Sequence, residues 1–262
     1  AQWAIGASAL FYWALGVLPF KDGFYSSSRV QRGGQTVGPE LHPDREIIIS
    51  VLSGAMVGAM DGIGLLNATR LNASCRPDGY ILKPDRPLTT SDACFTKPKP
   101  ELCFVYQTYT DINGLGRLHY IFMDTPEAIA PHLSRLTSTP EKYAVYNWYT
   151  GQLSSLSLLT PYVPIAGYEG HALLMLLPIV QGWVLLGEVD KYVPTSALRF
   201  RAVRANTSTL VATAAGVGSE RVRLCAANTG NWLVKCKELA FGIPGTADVS
   251  FFHSALPALR EA

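Results

Sequence analysis

Three aspartates each stand at the end of a short apolar segment in the first ninety residues. Asp22 ends "VLPFKD", Asp61 ends "GAMVGAMD" and Asp85 ends "YILKPD". In folds with parallel strands, side chains at the carboxyl ends of the strands meet at one edge of the sheet, where ligands bind and where acids and bases act. The three carboxylates are therefore predicted to lie around one such edge.

Each of these aspartates also has a purely structural interpretation. Asp22 can cap a following helix, and Asp61, which a glycine follows, can make the turn after its segment. Asp85 precedes an Arg-Pro pair and fits a loop or an ion pair. The spacing alone leaves both interpretations open.

The segments around the aspartates alternate between helical and strand-like patterns. Pro43 and Asp44 suit the first turn of a helix, since proline fits position N1 and negative charge favours a helix N-terminus. Short apolar runs bounded by glycine and proline are typical of buried strands. Residues 1–90 are therefore predicted to be α/β, with helices at 2–15, 42–52 and 67–76 and strands at 17–20, 54–64 and 80–85.

After about residue 91 the pattern changes to short alternating strands that are rich in aromatic residues. "CFVYQTYT" is one such strand, and the Asn113-Gly114 pair that follows is a strong hairpin signal. Residues 91–262 are therefore predicted to form an antiparallel β-sandwich domain. The alternate spacing of its aromatic residues, Trp148 and Trp183 among them, favours core positions over a sugar-stacking platform.

Several stretches resemble the melibiase-type glycoside hydrolases, and most closely the raffinose-synthase and seed-imbibition branch of the α-galactosidase superfamily. The stretches are "LPFKDGFYSS", "LSGAMVGAMDGIGLLN", "CRPDGYILKPDRPLTTSDACF" and "GWVLLGEVDKYVP". Their order and spacing fit nearly the whole chain. The resemblance implies the last strands and helices of a (β/α)8 barrel over 1–90, followed by the β-sandwich domain.

The resemblance also implies roles for the residues at the strand ends. Asp22 matches the second aspartate of an Asp-x-Asp motif that supplies the general acid/base, although Phe20 replaces the first aspartate and Gly23 a methionine. Asp61 matches a residue that lines the sugar site. Lys21 and Asp85 are further candidates for contacts with the substrate, and adjacent strand residues point to opposite faces, so Lys21 need not lie near the Asp22 carboxylate.

The function implied is that of the C-terminal portion of a secreted hydrolase that acts on α-linked galactosides or related glycans. The nucleophile of this superfamily follows the fourth barrel strand, so it is expected on an upstream segment or a second polypeptide that completes the barrel. Retaining enzymes need two carboxyl groups about 5–5.5 Å apart. Because the acid motif is altered, the alternative is a non-catalytic structural or glycan-binding glycoprotein, and whether the chain is an enzyme stays open.

Three Asn-x-Ser/Thr sites indicate a secreted or cell-surface glycoprotein: Asn67, Asn72 and Asn206. The five cysteines show no metal-binding spacing, so neither a metal site nor a cofactor is expected. Cys225 and Cys236 flank a turn in a diagonal register that permits a disulfide between them.

Composition excludes several other classes of protein. The chain has 262 residues, 16% of them charged, and a net charge of +2, and it holds no basic run that could follow a nucleic-acid backbone. Residues 1–20 are apolar, but two glycines and Pro19 interrupt them, so a buried helix and strand are favoured over a membrane span. The expected partner is a carbohydrate.

Overall fold

A computed structural model describes residues 7–31, 39–99, 103–126, 132, 142–156, 164, 166–167, 169–242 and 245–252. Within these ranges the helices are α1 (Ala7–Ala14), α2 (Pro43–Leu52) and α3 (Ala68–Asn72), and a 3₁₀ turn spans Asp92–Thr96. Helix α2 begins at Pro43 and carries Asp44 and Glu46 in its first turn, which confirms that prediction. Helix α3 is shorter than predicted and ends at Asn72. None of the described helices combines the length and the apolar character that a membrane span requires.

Strands are the main regular structure in the rest of the described chain. They are β1 (Thr89–Thr90), β2 (Val105–Ile112), β3 (Gly116–Met123), β4 (Tyr143–Asn147), β5 (Leu153–Ser155), β6 (Ala172–Pro178), β7 (Trp183–Gly187), β8 (Phe200–Ala205), β9 (Thr209–Gly216), β10 (Arg221–Asn228), β11 (Val234–Ala240) and β12 (Gly245–Phe252). They form a six-stranded sheet in the order β1-β2-β3-β6-β4-β5 and two three-stranded sheets, β11-β10-β7 and β12-β9-β8. Every strand pair is antiparallel, as predicted for residues 91–262.

The predicted hairpin is present and joins two of the sheets. Ile112 at the end of β2 pairs with Gly116 at the start of β3 around the Asn113-Gly114 turn. Gly114 has a φ angle of 78°, and a Cβ atom there would lie 1.9 Å from the carbonyl oxygen of Val203. Glycine is therefore required, because the backbone of β8 approaches this closely. The Val203 N–H donates to the Asn113 carbonyl at 2.8 Å.

The six-stranded sheet is covered on both faces. Along β6, the odd-numbered residues of Leu173–Leu177 face the large core that the other two sheets share. The even-numbered residues face a smaller core beside the disulfide Cys94–Cys103. This explains why β6 reads as a continuous apolar run rather than an alternating one.

The prediction that residues 1–90 are α/β and form the closing part of a (β/α)8 barrel is wrong. In the described part of these residues, the parallel pairing is a single bridge between Phe24 and Ala59, made by the Phe24 N–H to Gly58 and the Met60 N–H to Phe24. Val17 and Leu18 are exposed rather than buried in a strand, and Ile81 makes one antiparallel bridge with Cys75. Short apolar runs do not distinguish a strand from an irregular segment by periodicity, which is why the sequence pattern misled. The domain boundary near residue 90 stays a prediction.

Two disulfides are formed among the described residues, Cys94–Cys103 and Cys225–Cys236, and Cys75 is a free thiol. Cys225 and Cys236 are directly opposed in the β10–β11 register, not diagonal as predicted. Both pairs are compatible with an oxidising, secretory environment.

A buried ion triad connects the two three-stranded sheets. The Arg199 guanidinium is fully buried and donates from Nε to Glu188 at 2.6 Å and from Nη1 to Glu220 at 3.0 Å and to the Ala215 carbonyl at 2.6 Å. Burial raises the pKa of Glu188. For Glu220, burial also acts to raise the pKa, but the hydrogen bonds from Arg199 and from the Val217 N–H together outweigh it and lower the pKa.

Replacing Arg199 with methionine is expected to lower the free energy of unfolding by about 3–5 kcal/mol at neutral pH, because two buried carboxylates lose their cation. Without that cation, burial raises both folded-state pKa values above the unfolded value. The variant therefore keeps its stability below about pH 4.3 and loses it as the pH rises towards about 7. Urea unfolding at a series of pH values measures this.

The matched control is Arg204→Met, which breaks an exposed ion pair with Asp248. It is expected to cost less than about 1 kcal/mol. If the two variants lose equal stability at neutral pH, the triad does not hold the sheets together.

Candidate functional site

A cavity of about 610 Å³ opens between the two helices α2 and α3 and the segment that follows β7. This α2–α3 cavity is lined by polar and aromatic side chains: Asp44, Asn67, Thr69, Arg70, Asn72, Ala73, Trp148, Asp190, Lys191 and Tyr192. Its volume lies within the range of small-molecule sites, about 300–1,000 Å³. It is therefore large enough to take a small polar ligand.

The pair of Asp44 and Arg70 forms the charged wall of the cavity. Asp44 stands in the first turn of α2, where a carboxylate is favourable, and Arg70 comes from α3. Arg70 donates from Nε to Asp44 Oδ1 at 2.5 Å, from Nη2 to Oδ2 at 3.2 Å, and from Nη1 to the Ser26 carbonyl at 3.0 Å. Burial acts to lower the Arg70 pKa. The hydrogen bonds with the Asp44 carboxylate outweigh this effect, so the Arg70 pKa is raised. The two charges thus satisfy each other in a bidentate pair.

Trp148 and Tyr192 form the aromatic wall. Their ring centroids lie 5.1 Å apart, and Trp148 also meets the Tyr149 ring edge-on at 5.0 Å. The Trp148 Nε1–H donates to the Lys191 carbonyl at 2.8 Å, which fixes the indole in place. Tyr192 is buried, whereas Trp148 is only half-buried and presents its ring to the cavity.

Lys191 attaches this wall to the C-terminal end of α3. Its Nζ donates to the Asn72 carbonyl at 2.8 Å and to the Cys75 carbonyl at 3.0 Å. The next residue, Tyr192, donates its N–H to the Ala73 carbonyl at 3.0 Å. A cation at the C-terminus of a helix satisfies carbonyl groups that have no partner within the helix.

Glu169 and His171 lie behind the cavity. The Glu169 carboxylate accepts from the Asp44 N–H at 3.0 Å and from the Arg45 N–H at 2.9 Å, so it caps α2. The Tyr149 hydroxyl and His171 Nε2 share a short hydrogen bond. Burial raises the pKa of Tyr149 and lowers the pKa of His171 to about 4. Both groups are therefore uncharged at neutral pH.

Lys21, a predicted substrate contact, lies in the core instead. Its Nζ forms an ion pair with Glu46 of α2 at 2.6 Å, and the two side chains are 4% and 7% exposed. Asp22 is exposed, and its carboxylate accepts from the neighbouring Gly23 N–H at 2.8 Å. Lys21 thus points away from solvent, and the catalytic role of Asp22 stays a prediction.

Asp22 and Asp61 are offset from each other across the one bridge between their segments. The bridge pairs Phe24 with Ala59, so Asp22 lies two residues before the bridge and Asp61 two residues after it. In an extended strand, four residues at about 3.3 Å each span about 13 Å along the chain direction. A glycosidase needs its two carboxyl groups about 5–9.5 Å apart.

Asp61 and Asp85 both hold backbone in place. Asp61 accepts from the Ser26 N–H at 2.8 Å and from the Gln31 amide at 3.4 Å, and so fixes the segment before residue 31. Asp85 accepts from the Asp111 N–H at 2.7 Å and anchors its loop to β2. Burial raises the pKa of Asp85. Neither aspartate lines the α2–α3 cavity.

Two of the predicted glycosylation sites do line it. Asn67 is the N-cap of α3 and accepts from the Arg70 N–H at 3.1 Å, and Asn72 is an exposed residue at the other end of that helix. Asn206 lies in the turn between β8 and β9, where its side chain accepts from Ser208 and Thr209 N–H groups. The sequence pattern grouped none of these with Trp148, which it assigned to the core.

The remaining cavity residues were not recognised as a site from the sequence. The stretch "GEVDKYVP" contains Asp190, Lys191 and Tyr192, and it was noted only for its resemblance to other proteins. Arg70 carried no distinguishing signal. Among the described residues, no cluster of histidine, cysteine or acidic side chains could hold a metal ion.

Comparisons with known proteins give no family for this chain. No family model matches the sequence, and no curated protein matches it. The resemblance to melibiase-type hydrolases therefore stays a prediction, and the geometry of the α2–α3 cavity is the basis for assigning a function.

Replacing Lys21 with methionine is expected to lower the free energy of unfolding by about 3 kcal/mol, because the buried Glu46 loses its closer cation and keeps only Arg45, whose Nε lies 3.4 Å from its carboxylate. The double variant Lys21→Met/Glu46→Met is expected to recover most of this loss, since two apolar side chains of similar length fill the same space. Chemical denaturation of both variants measures the effect. Wild-type stability of the single variant would show that Lys21 is available to a ligand after all.

Proposed function

We propose that this chain is a non-catalytic glycoprotein that binds carbohydrate in the α2–α3 cavity. The observation that carries the proposal is a half-buried indole, Trp148, facing the polar wall of Asp44, Arg70 and Asn72. A sugar ring has an apolar face of C–H groups and a rim of hydroxyl groups. An aromatic ring suits the face, and a few fixed polar groups suit the hydroxyls.

The charges of the cavity favour a neutral sugar over an anionic one. Two carboxylates, Asp44 and Asp190, are balanced by Arg70 and Lys191. The Arg70 donors are engaged by Asp44 and Ser26, and the Lys191 ammonium is held by two backbone carbonyls. An anionic ligand would have to break these hydrogen bonds before it could pair with Arg70 or Lys191. Sugar hydroxyl groups can instead accept and donate hydrogen bonds at the edges of the existing pairs.

The same arrangement favours binding over hydrolysis. A glycosidase needs a carboxyl group that holds a proton beside the scissile bond. Asp44 is held in a bidentate pair with Arg70, and the buried Tyr149 and His171 are uncharged and bonded to each other. These groups can orient a ligand but are poorly placed to transfer a proton to it.

The proposed location is the outside of the cell. The two disulfides are compatible with it, and three glycosylation sequences support it. A partner polypeptide is supported by a run of exposed apolar side chains on α1, which includes Leu10 and Phe11.

Replacing Trp148 with alanine is expected to weaken binding of neutral oligosaccharides at least about tenfold, equivalent to about 1.4 kcal/mol, because the apolar face of the sugar loses its platform. Isothermal titration of the proteins, prepared without N-linked glycans, with purified neutral saccharides measures the dissociation constant. Tyr80→Ala, which removes an exposed aromatic ring outside the cavity, is the control and is expected to leave it unchanged. Equal affinities for wild type and Trp148→Ala would contradict the proposal.

Hydrolysis of α-galactosides, the first prediction from the sequence, is open to a direct assay. The purified chain is expected to release no aryl alcohol from an aryl α-galactoside, because Asp44 is held in the pair with Arg70 and neither Asp22 nor Asp61 lines the cavity. If turnover is found, and is lost in Asp22→Asn but kept in the exposed control Asp92→Asn, the non-catalytic proposal is wrong and Asp22 is the catalytic acid.

A further inference from the structure

We infer that the carbohydrate in the α2–α3 cavity is an N-linked glycan carried by the chain itself, attached to Nδ2 of Asn72. The inference rests on the proposed carbohydrate-binding function and names the ligand. It starts from the position of two glycosylation sequences, at Asn67 and Asn72, on the wall of the one cavity described above.

Asn72 is the better placed of the two asparagines to carry an ordered glycan. The Asn67 side chain is half-buried and accepts from the Arg70 N–H as the cap of α3. The Asn72 side chain is exposed, and among the described residues no hydrogen bond engages its amide. A glycan on Asn72 therefore leaves the structure of α3 undisturbed.

A single residue connects Asn72 to the aromatic wall. The Lys191 Nζ donates to the Asn72 carbonyl, and the Lys191 carbonyl accepts from the Trp148 indole N–H. Both bonds are 2.8 Å long, so the attachment point and the indole are held in a fixed relation across the cavity. The first sugar units on Asn72 thus start on the wall of the same cavity that the Trp148 ring lines.

Attachment makes a weak stacking contact sufficient. A ligand on a short tether reaches an effective concentration of about millimolar, so the attached sugar occupies the cavity even where the free sugar binds weakly. The ligand class follows from the chemistry of the modification: N-linked glycans of the secretory route begin with neutral N-acetylglucosamine units. A neutral sugar fits the balanced charges of the cavity.

The modification itself needs an oligosaccharide donor activated as a lipid pyrophosphate. The bond between Asn72 Nδ2 and C1 of the first sugar forms as the C1–O bond to the pyrophosphate breaks. The lipid pyrophosphate leaves with that electron pair, and Nδ2 loses one proton. A glycosyltransferase of the secretory route supplies the donor and the catalysis, so the chain needs only an accessible Asn72.

The test uses the chain secreted from animal cells, with an endoglycosidase acting on the folded protein. Peptide mass spectrometry is expected to find a glycan on Asn72. Its release is expected to be at least about tenfold slower than release from Asn206, whose turn lies outside the cavity, because the Asn72 glycan is shielded on Trp148. Trp148→Ala is expected to abolish this difference, and Tyr80→Ala, which removes an exposed aromatic ring outside the cavity, to leave it unchanged.

Two outcomes would overturn the inference: an unmodified Asn72, or release from Asn72 at the same rate in wild type and in Trp148→Ala. The variant Ser74→Ala removes the glycosylation sequence of Asn72, keeps the Asn72 side chain and leaves the cavity empty, so it separates this failure from that of the proposed function. It is expected to bind free N,N′-diacetylchitobiose, whereas the glycosylated wild type is not. If Ser74→Ala binds this or another neutral saccharide while Asn72 carries no glycan in wild type, the cavity is a carbohydrate site with an external ligand. If it binds none, the proposed function fails as well.

Discussion

The hydrogen bonds of Lys191 hold the short helix α3 against the β-sheets. Its ammonium donates to two carbonyls at the end of α3, and its own carbonyl accepts from the Trp148 indole. Hydrogen bonds to charged groups contribute about 1.5–3 kcal/mol each to stability. This contribution is large for α3, because the helix has five residues and none of them is buried. Together with the bonds of Arg70 to Asp44 and Ser26, these contacts set the position of α3 and so the shape of the α2–α3 cavity.

A second connection fixes α2 from the opposite side. Glu169 caps the N-terminus of α2 through two backbone N–H groups, and the Asp44–Arg70 pair then ties α2 to α3. The cavity is the space between these two connections. Its polar lining is thus a consequence of how the helices are attached: the groups that orient a ligand are the same groups that hold the helices to the sheets, and they are rigid for that reason.

Two local sequence signals predicted local features correctly. The Asn113-Gly114 turn predicted the β2–β3 hairpin, and Pro43 with Asp44 predicted the start of α2, because each depends on backbone geometry within a few residues. The barrel could not be assessed in this way, since it depends on how distant segments pair. The partner of Lys21 is Glu46, 25 positions away. The partners of the Lys191 ammonium and of the Glu169 carboxylate are more than 100 positions away. No periodicity in the sequence marks such contacts, so the site was missed although its residues are ordinary in type.

The satisfied state of the cavity's charges separates a binding site from a catalytic one. Acid–base catalysis needs groups whose protonation changes during the reaction. The pKa values of such groups are usually shifted by burial without a partner or by a nearby like charge. Here Tyr149 and His171, which lie near the cavity, are neutral partners of each other, Asp44 and Arg70 are paired, and the Lys191 ammonium is bonded to backbone. A lining whose cations are already partnered presents fixed dipoles and two aromatic rings. It recognises the shape and the hydroxyl pattern of a neutral ligand, and its partnered groups do not transfer the protons that bond cleavage requires.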